Sequence, residues 1–204
     1  MPDRPPHLPP ITPTRKTGDE KIHDADRALG PSLLDFWRWS ASDLMSNATR
    51  GILAEYLVAQ AVGDESPVRA EWGAYDVVTP DGIRVEVKTS AYIQSWYQRD
   101  YSQIKFGIGP ARYWDPETNM VTTESKRQAD VYVFCLLAHK EQATVDPLDV
   151  AQWQFFVVST ARLNEAVGNQ KSISLVGLGR LGAVPVDYRG LADAVHTAQG
   201  AAPR

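Results

Sequence analysis

Apolar side chains are distributed along the chain in two ways. A polar, proline-broken N-terminus comes first, followed by short apolar segments separated by turn residues. Residues 1 to about 30, which open "MPDRPPHLPPITPTRK", are expected to be extended and mobile, because prolines remove backbone donors and the segment has little to bury. In "PSLLDFWRWS", Pro31 and Ser32 suit a helix start, and Leu33, Leu34, Phe36 and Trp37 would seat one face on a core. "NATRGILAEYLVAQAVG" predicts a helix with Asn47 as N-cap and Gly63 as stop. Ile52, Tyr56, Ala59 and Val62 form one stripe of it, and Leu53, Leu57 and Ala61 a neighbouring one. The helix is apolar over most of its circumference and is expected to be well buried. Glu55 stands on the first stripe, one turn after Ile52.

Two strands around a tight turn are predicted in "AYDVVTPDGIRVEVKTS", Ala74 to Ser90. Further strands are expected at about 102–108, 130–138 and 154–159, and at Ser172–Val176. A helix is expected over Thr160–Val167 with Thr160 near its cap, and a short helix near the C-terminus before a loose tail. This order predicts a mixed α/β domain. No internal repeat and no second domain are visible. The organisation expected is a proline-rich mobile segment over 1–30, a single domain over 31–197 and a tail over 198–204.

Composition narrows the classes. With 43% hydrophobic residues in 204, the chain has enough apolar side chain for a packed core. The formal net charge of −4 gives no global attraction to nucleic acid, so a phosphate-binding surface must be a local patch. Cys135 is the one cysteine and lies inside "VYVFCLLA", which makes it a core thiol and excludes an intrachain disulfide. The four histidines are scattered, and no Cys/His zinc spacing exists. The N-terminus lacks the apolar segment of a signal peptide or anchor, and no apolar run approaches bilayer length. A cytoplasmic protein with no membrane partner is expected.

The chemistry concentrates in the hairpin. Pro80 favours the second position of a type I turn, Asp81 the third, and Gly82 the positive φ that follows. Such a three-residue loop pairs Thr79 with Ile83, Val78 with Arg84, Val77 with Val85 and Asp76 with Glu86. Asp76, Glu86 and Lys88 then share one face. A two-residue Asp-Gly turn would instead put Asp76 on the Val85/Val87 side. Two opposed carboxylates at ~4 Å repel by about 4 kcal/mol at an effective dielectric near ~20. The arrangement therefore calls for a cation, either Lys88 itself or a hard divalent ion. A solvated face with a plain Glu–Lys pair is the alternative. Glu55, an acid on the apolar stripe of the preceding helix, adds a third carboxylate where an unpaired charge is costly.

The order of an acid on a helix, Asp76 on a strand and "Glu86-Val87-Lys88" on the next strand resembles the PD-(D/E)xK nuclease superfamily, the restriction-endonuclease-like fold. The resemblance covers about Asn47 to Ala138. The residue before Asp76 is Tyr75, where that pattern has proline. The resemblance implies an αβββαβ core with a central mixed sheet flanked by helices, and phosphodiester hydrolysis, with DNA as the expected substrate. It implies that Asp76, Glu86 and the Val87 carbonyl hold Mg²⁺, for which Mn²⁺ could substitute. Glu55 would bind metal through water or anchor a second ion. Lys88 would orient the attacking water and offset transition-state charge. A catalytically inactive module of the same fold, binding DNA or a protein, is the rival reading. Cutting both strands of a duplex calls for two active sites, which a homodimer would supply.

Three other segments bear on binding. "SAYIQSWYQRDYSQIKF" reads as an amphipathic helix seated by its aromatics, or as a segment contacting DNA beside the site, with Gln94 and Arg99 among its polar groups. The resemblance suggests Gln94 as the glutamine that some superfamily members carry after the motif lysine. "SKRQAD" reads as a solvated loop, with Lys126 and Arg127 of interest if they share a rim with Lys88; Arg50, one turn before Glu55, has the same status. "GLGRLG" matches GxGxxG, but a dinucleotide site needs a helix after it and Pro185 interrupts, so a glycine-rich turn is expected.

Overall fold

The computed structural model describes residues 8–200. The first seven residues of the proline-rich segment and the end of the expected tail, 201–204, lie outside them. The elements in chain order are β1 (Lys21–Asp24), β2 (Arg27–Ser32), α1 (Leu33–Ala41), α2 (Asn47–Val62), β3 (Val77–Val78) and β4 (Arg84–Ala91). Then come β5 (Lys105–Gly107), β6 (Trp114–Asp115), β7 (Met120–Val121) and β8 (Val131–Leu137). They are followed by a 3₁₀ turn at Val150–Gln152, β9 (Trp153–Ser159), α3 (Thr160–Val167), β10 (Ser172–Ser174), α4 (Leu175–Arg180) and α5 (Leu191–Gly200).

The central sheet is mixed, in the order β3-β4-β8-β9. β3 and β4 are antiparallel, β4 and β8 parallel, and β8 and β9 antiparallel. All seven residues of β8 are buried, which is why "VYVFCLL" reads as an unbroken apolar run: both faces of the strand are covered. On one face, Val85, Val87, Val131, Val133 and Cys135 pack against Ala54 and Val58 of α2 and Leu191 and Val195 of α5. On the other, Tyr132, Phe134 and Leu136 pack with Phe106, Ile108, Leu163 and Leu178. Among the described residues no helix is long and apolar enough to cross a membrane.

The turn forms as the Pro-Asp-Gly chemistry requires. Thr79 N donates to Ile83 O at 3.0 Å, Gly82 takes φ 91°, and Val78 pairs with Arg84 and Val77 with Val85. The ladder breaks one residue later. Asp76 N turns to Val85 O at 3.0 Å, so the expected Asp76–Glu86 ladder pair does not form.

Several expectations are corrected. Residues 21–32 form a two-stranded hairpin, so the extended N-terminal segment stops well short of residue 30. Helix α1 starts on Ser32 in a reciprocal capping box with Asp35, but none of its residues is buried, and Phe36 and Trp39 face solvent. Helix α2 is capped by Ser46 rather than Asn47, and its buried stripe is Arg50, Ala54, Val58 and Val62. Ile52 and Tyr56 are exposed, which leaves Glu55 on the helix flank, half-buried. α3 keeps the expected bounds, Thr160–Val167, with Ser159 beside Thr160 as its cap. The parallel step from β4 to β8 contains no helix. The segment expected as a helix after Lys88 is a loop, because the Gln94 and Gln98 side chains bond its own backbone. The strand expected at 102–108 shrinks to β5, which pairs with β10 outside the central sheet. "GLGRLG" lies largely within the six-residue helix α4.

Candidate functional site

Strand β4 alternates. Val85 and Val87 turn to the α2 core, while Glu86 and Lys88 emerge on the opposite face, level with Tyr132 and Phe134 of β8. Lys88 Nζ is ion-paired to Glu86 Oε1, both half-buried. β3 is only two residues long, so the edge of β4 beyond Val85 has no strand partner. The Val87 N–H there donates instead to Asp76 Oδ2 at 2.7 Å. A carboxylate thus takes the place of a ladder acceptor, which fixes Asp76 at the open edge. Its Oδ1 has no hydrogen-bond partner among the described residues.

Burial raises the Asp76 pKa from 3.8 to about 6, and the neighbouring Glu86 charge adds to the rise, with a smaller contribution from Glu55. The Val87 N–H and Lys88 oppose it. The Tyr132 hydroxyl is pushed up to about 12 by burial and by the charge of Glu86, the residue it pairs with across the parallel ladder. Glu55 approaches from the α2 face and is gripped by Arg69, whose Nε pairs with Oε2 and whose Nη2 donates to Oε1 at 3.0 Å. Asp76 is therefore the common neighbour of Glu55 on one side of the sheet and Glu86 on the other.

A cleft of about 670 Å³ opens beside Asp76, lined by Glu55, Tyr56, Arg69, Tyr75 and Tyr113 among others; Glu86 and Lys88 lie outside its lining. Arg69, Tyr113 and Tyr132 carried no signal in the sequence. Two lie in stretches without periodicity, and Tyr132 is hidden within an apolar strand.

As a metal centre the residues present divide. Among the described residues no three His, Cys, Asp or Glu side chains gather into a metal-holding group. Asp76 and Glu86 are two carboxylates beside the Val87 carbonyl, and Mg²⁺ takes one or two carboxylates with waters and phosphate oxygens, so this pair fits that ion. Glu55, with both oxygens on Arg69, does not complete the set.

The surface residues expected to meet nucleic acid separate into two groups. Arg99 and Lys126 are exposed. Arg50, Gln94 and Arg127 are interior, which corrects their expected placement. Arg50 is 2% exposed and donates to Met45 O, Asn47 Oδ1 and Gln94 Oε1. Gln94 in turn donates to Ala91 O and Ser102 Oγ. Arg127 is 7% exposed and ties Ile108 O, Asn164 Oδ1 and Gln170 O together. Apart from Arg50 Nε, which is buried without a hydrogen-bond partner among the described residues, the bonds they make hold loops.

Fold and site together define a mixed α/β protein with an acid–lysine centre at the open edge of its sheet. Comparison with protein families goes further. The chain belongs to the bacteriophage T4 endonuclease IV family, whose model matches residues 14–177 and so includes β1 to β10 and every residue of the site. That makes the protein a member of a nuclease family, with nucleic acid as its substrate class. No curated protein matches the chain.

Proposed function

We propose that the protein hydrolyses phosphodiester bonds in DNA at a PD-(D/E)xK-type centre, with a divalent cation held by Asp76, Glu86 and the Val87 carbonyl. The observation that carries this reading is Asp76, half-buried at the sheet edge next to Glu86 and Lys88, in a chain of an endonuclease family. Mg²⁺ bound there would supply a hydroxide-like nucleophile at neutral pH and a counter-charge for the scissile phosphate.

The side chains do the rest. Asp76 presents a free oxygen while the Val87 N–H fixes its other one. Glu86 holds the Lys88 ammonium beside the centre. With Glu86 engaged as a metal ligand, the Lys88 ammonium would be free to hydrogen-bond the attacking water and the phosphate oxygens, where charge develops. The half-buried setting strengthens each of these interactions relative to water.

A second reading, a nucleic-acid-binding module without hydrolysis, draws on one observation: no three-carboxylate group is assembled among the described residues. Calorimetric titration with Mn²⁺ separates the two. The hydrolytic reading expects wild type to bind Mn²⁺ and Asp76→Ala to lose most of that heat. Absence of Mn²⁺ binding by wild type, together with no cleavage of any nucleic acid, supports the module.

A further inference from the structure

The wall of the cleft beside Asp76 carries a cation with no assigned task. Arg69 lies in the loop between α2 and β3, and that loop is fastened at both ends. Asp64 accepts from Ser66 N at 2.7 Å and from Val78 N at 3.0 Å, and Asp76 accepts from Val87 N at 2.7 Å. The loop therefore holds Arg69 at a set place on the cleft wall.

Glu55 then sets its orientation. The Nε and one Nη2 hydrogen meet the two Glu55 oxygens, a fork-on-fork pairing that fixes the guanidinium plane. A guanidinium has five N–H donors, so three remain. The Arg69 side chain is 37% exposed and that of Glu55 15%, so the pair presents its cation to the cleft and shields its anion. Its hydrogen bond to Glu55 first, and the charges of Glu55, Asp76 and Glu71 after it, hold the Arg69 pKa above the ordinary arginine value.

We propose that Arg69 forms a phosphate-binding site on the cleft wall, and that Glu55 acts as its positioning residue and not as a metal ligand. The ligand class is a phosphodiester anion, and a planar fork with free donors is the chemistry that recognises it. The inference rests on the reading of Asp76 and Glu86 as the hydrolytic centre: a phosphate of the bound strand would be gripped by Arg69 while its neighbour lies at Asp76.

The test is fluorescence anisotropy with a short fluorescein-labelled oligodeoxynucleotide in metal-free buffer over a range of salt, with Mn²⁺ titration run in parallel. Arg69→Ala is expected to weaken binding by roughly tenfold and to lower the salt slope by about one. Arg69→Lys, which keeps the charge and serves should Arg69→Ala not fold, is expected to keep the salt slope and lose affinity. Glu55→Ala should weaken binding, and the Glu55→Ala/Arg69→Ala double variant should lose no more than Arg69→Ala alone. Glu55→Gln should keep the wild-type Mn²⁺ affinity. Wild-type oligonucleotide affinity in Arg69→Ala or Arg69→Lys overturns the site. So does Mn²⁺ affinity in Glu55→Gln that falls as far as in Asp76→Ala. The two claims separate cleanly. Arg69-dependent binding without any metal-dependent cleavage defeats the hydrolytic reading alone, whereas cleavage with Arg69-independent binding defeats the phosphate site alone.

Discussion

Replacing Asp76 with asparagine should make the protein more stable at neutral pH and flatten its pH dependence. In the fold Asp76 titrates at about 6, against 3.8 for the ordinary residue, because burial and Glu86 disfavour its charge. The native state therefore holds the proton more tightly than the unfolded chain. That contribution is fully present below 3.8 and is lost as pH rises through about 6, so above that value ionised Asp76 costs the fold about 3 kcal/mol. Going from about pH 8 to about pH 5 recovers roughly 1.4 kcal/mol of it, which corresponds to a rise of about 3–6 °C in Tm for a chain of this size. Asp76→Asn removes the titration while keeping an acceptor for the Val87 N–H. Urea melts of both proteins across this pH range, without metal, give the comparison. Wild type should gain on Asp76→Asn by about 1.4 kcal/mol as pH falls. Saturating Mg²⁺, which needs the ionised carboxylate, should stabilise wild type most above pH ~6 and leave Asp76→Asn unmoved. Parallel pH profiles for the two proteins would refute the assignment of a half-buried carboxylate whose charge is disfavoured at this position.

Three further outcomes follow from the packing. Glu86→Gln in metal-free buffer should change stability by no more than about 1 kcal/mol in either direction, because a half-exposed Glu–Lys pair contributes little and its loss relieves Asp76; a large fall in Tm would mark the pair as structural. Arg127→Ala should cost about 2–4 kcal/mol by stranding Ile108 O, Asn164 Oδ1 and Gln170 O, with oligonucleotide affinity unchanged in the folded fraction by anisotropy. Gly63→Ala should cost about 1 kcal/mol in a urea melt, because Gly63 ends α2 at φ 75° while its added methyl would meet only the Pro80 ring at 3.6 Å.

The parts of the fold legible in the sequence were those written in local chemistry. Pro80-Asp81-Gly82 specified the turn and its register, and the apolar run around Cys135 marked the strand buried on both faces. Gly63 marked the end of α2, and Thr160, next to the actual cap, marked the start of α3, because caps need only neighbouring residues. What was not legible depended on partners distant in sequence. The apolar face of α1 is visible as a pattern, but nothing local says that it stays uncovered. In α2 the apolar circumference left the phase open, so Arg50 lies on the buried side and Glu55 on the flank. Lys-Arg in "SKRQAD" reads as solvent-facing, yet Arg127 turns inward because three acceptors, from the residue after β5, from α3 and from the turn after α3, converge there. Asp76 and "Glu86-Val87-Lys88" could be singled out by residue type. The reason Asp76 meets Val87, a strand partner that stops after two residues, belongs to tertiary structure.

Hydrolysis at the Asp76–Glu86–Lys88 centre is read straight from cleavage. Purified wild type and Lys88→Ala are incubated with single-stranded, duplex and branched DNA and with RNA, in Mg²⁺, in Mn²⁺ and in chelator, and the products are resolved on denaturing gels. Wild type should give metal-dependent cleavage of at least one DNA. The rate should be lower by about 10²–10³ for Lys88→Ala, which should still bind that DNA with nearly wild-type affinity, since the Lys88 ammonium is paired with Glu86 in the free protein and acts on charge that develops in the transition state, while Arg69 is untouched. Cleavage by Lys88→Ala at the wild-type rate, or cleavage by wild type that persists in chelator, would contradict hydrolysis at that centre.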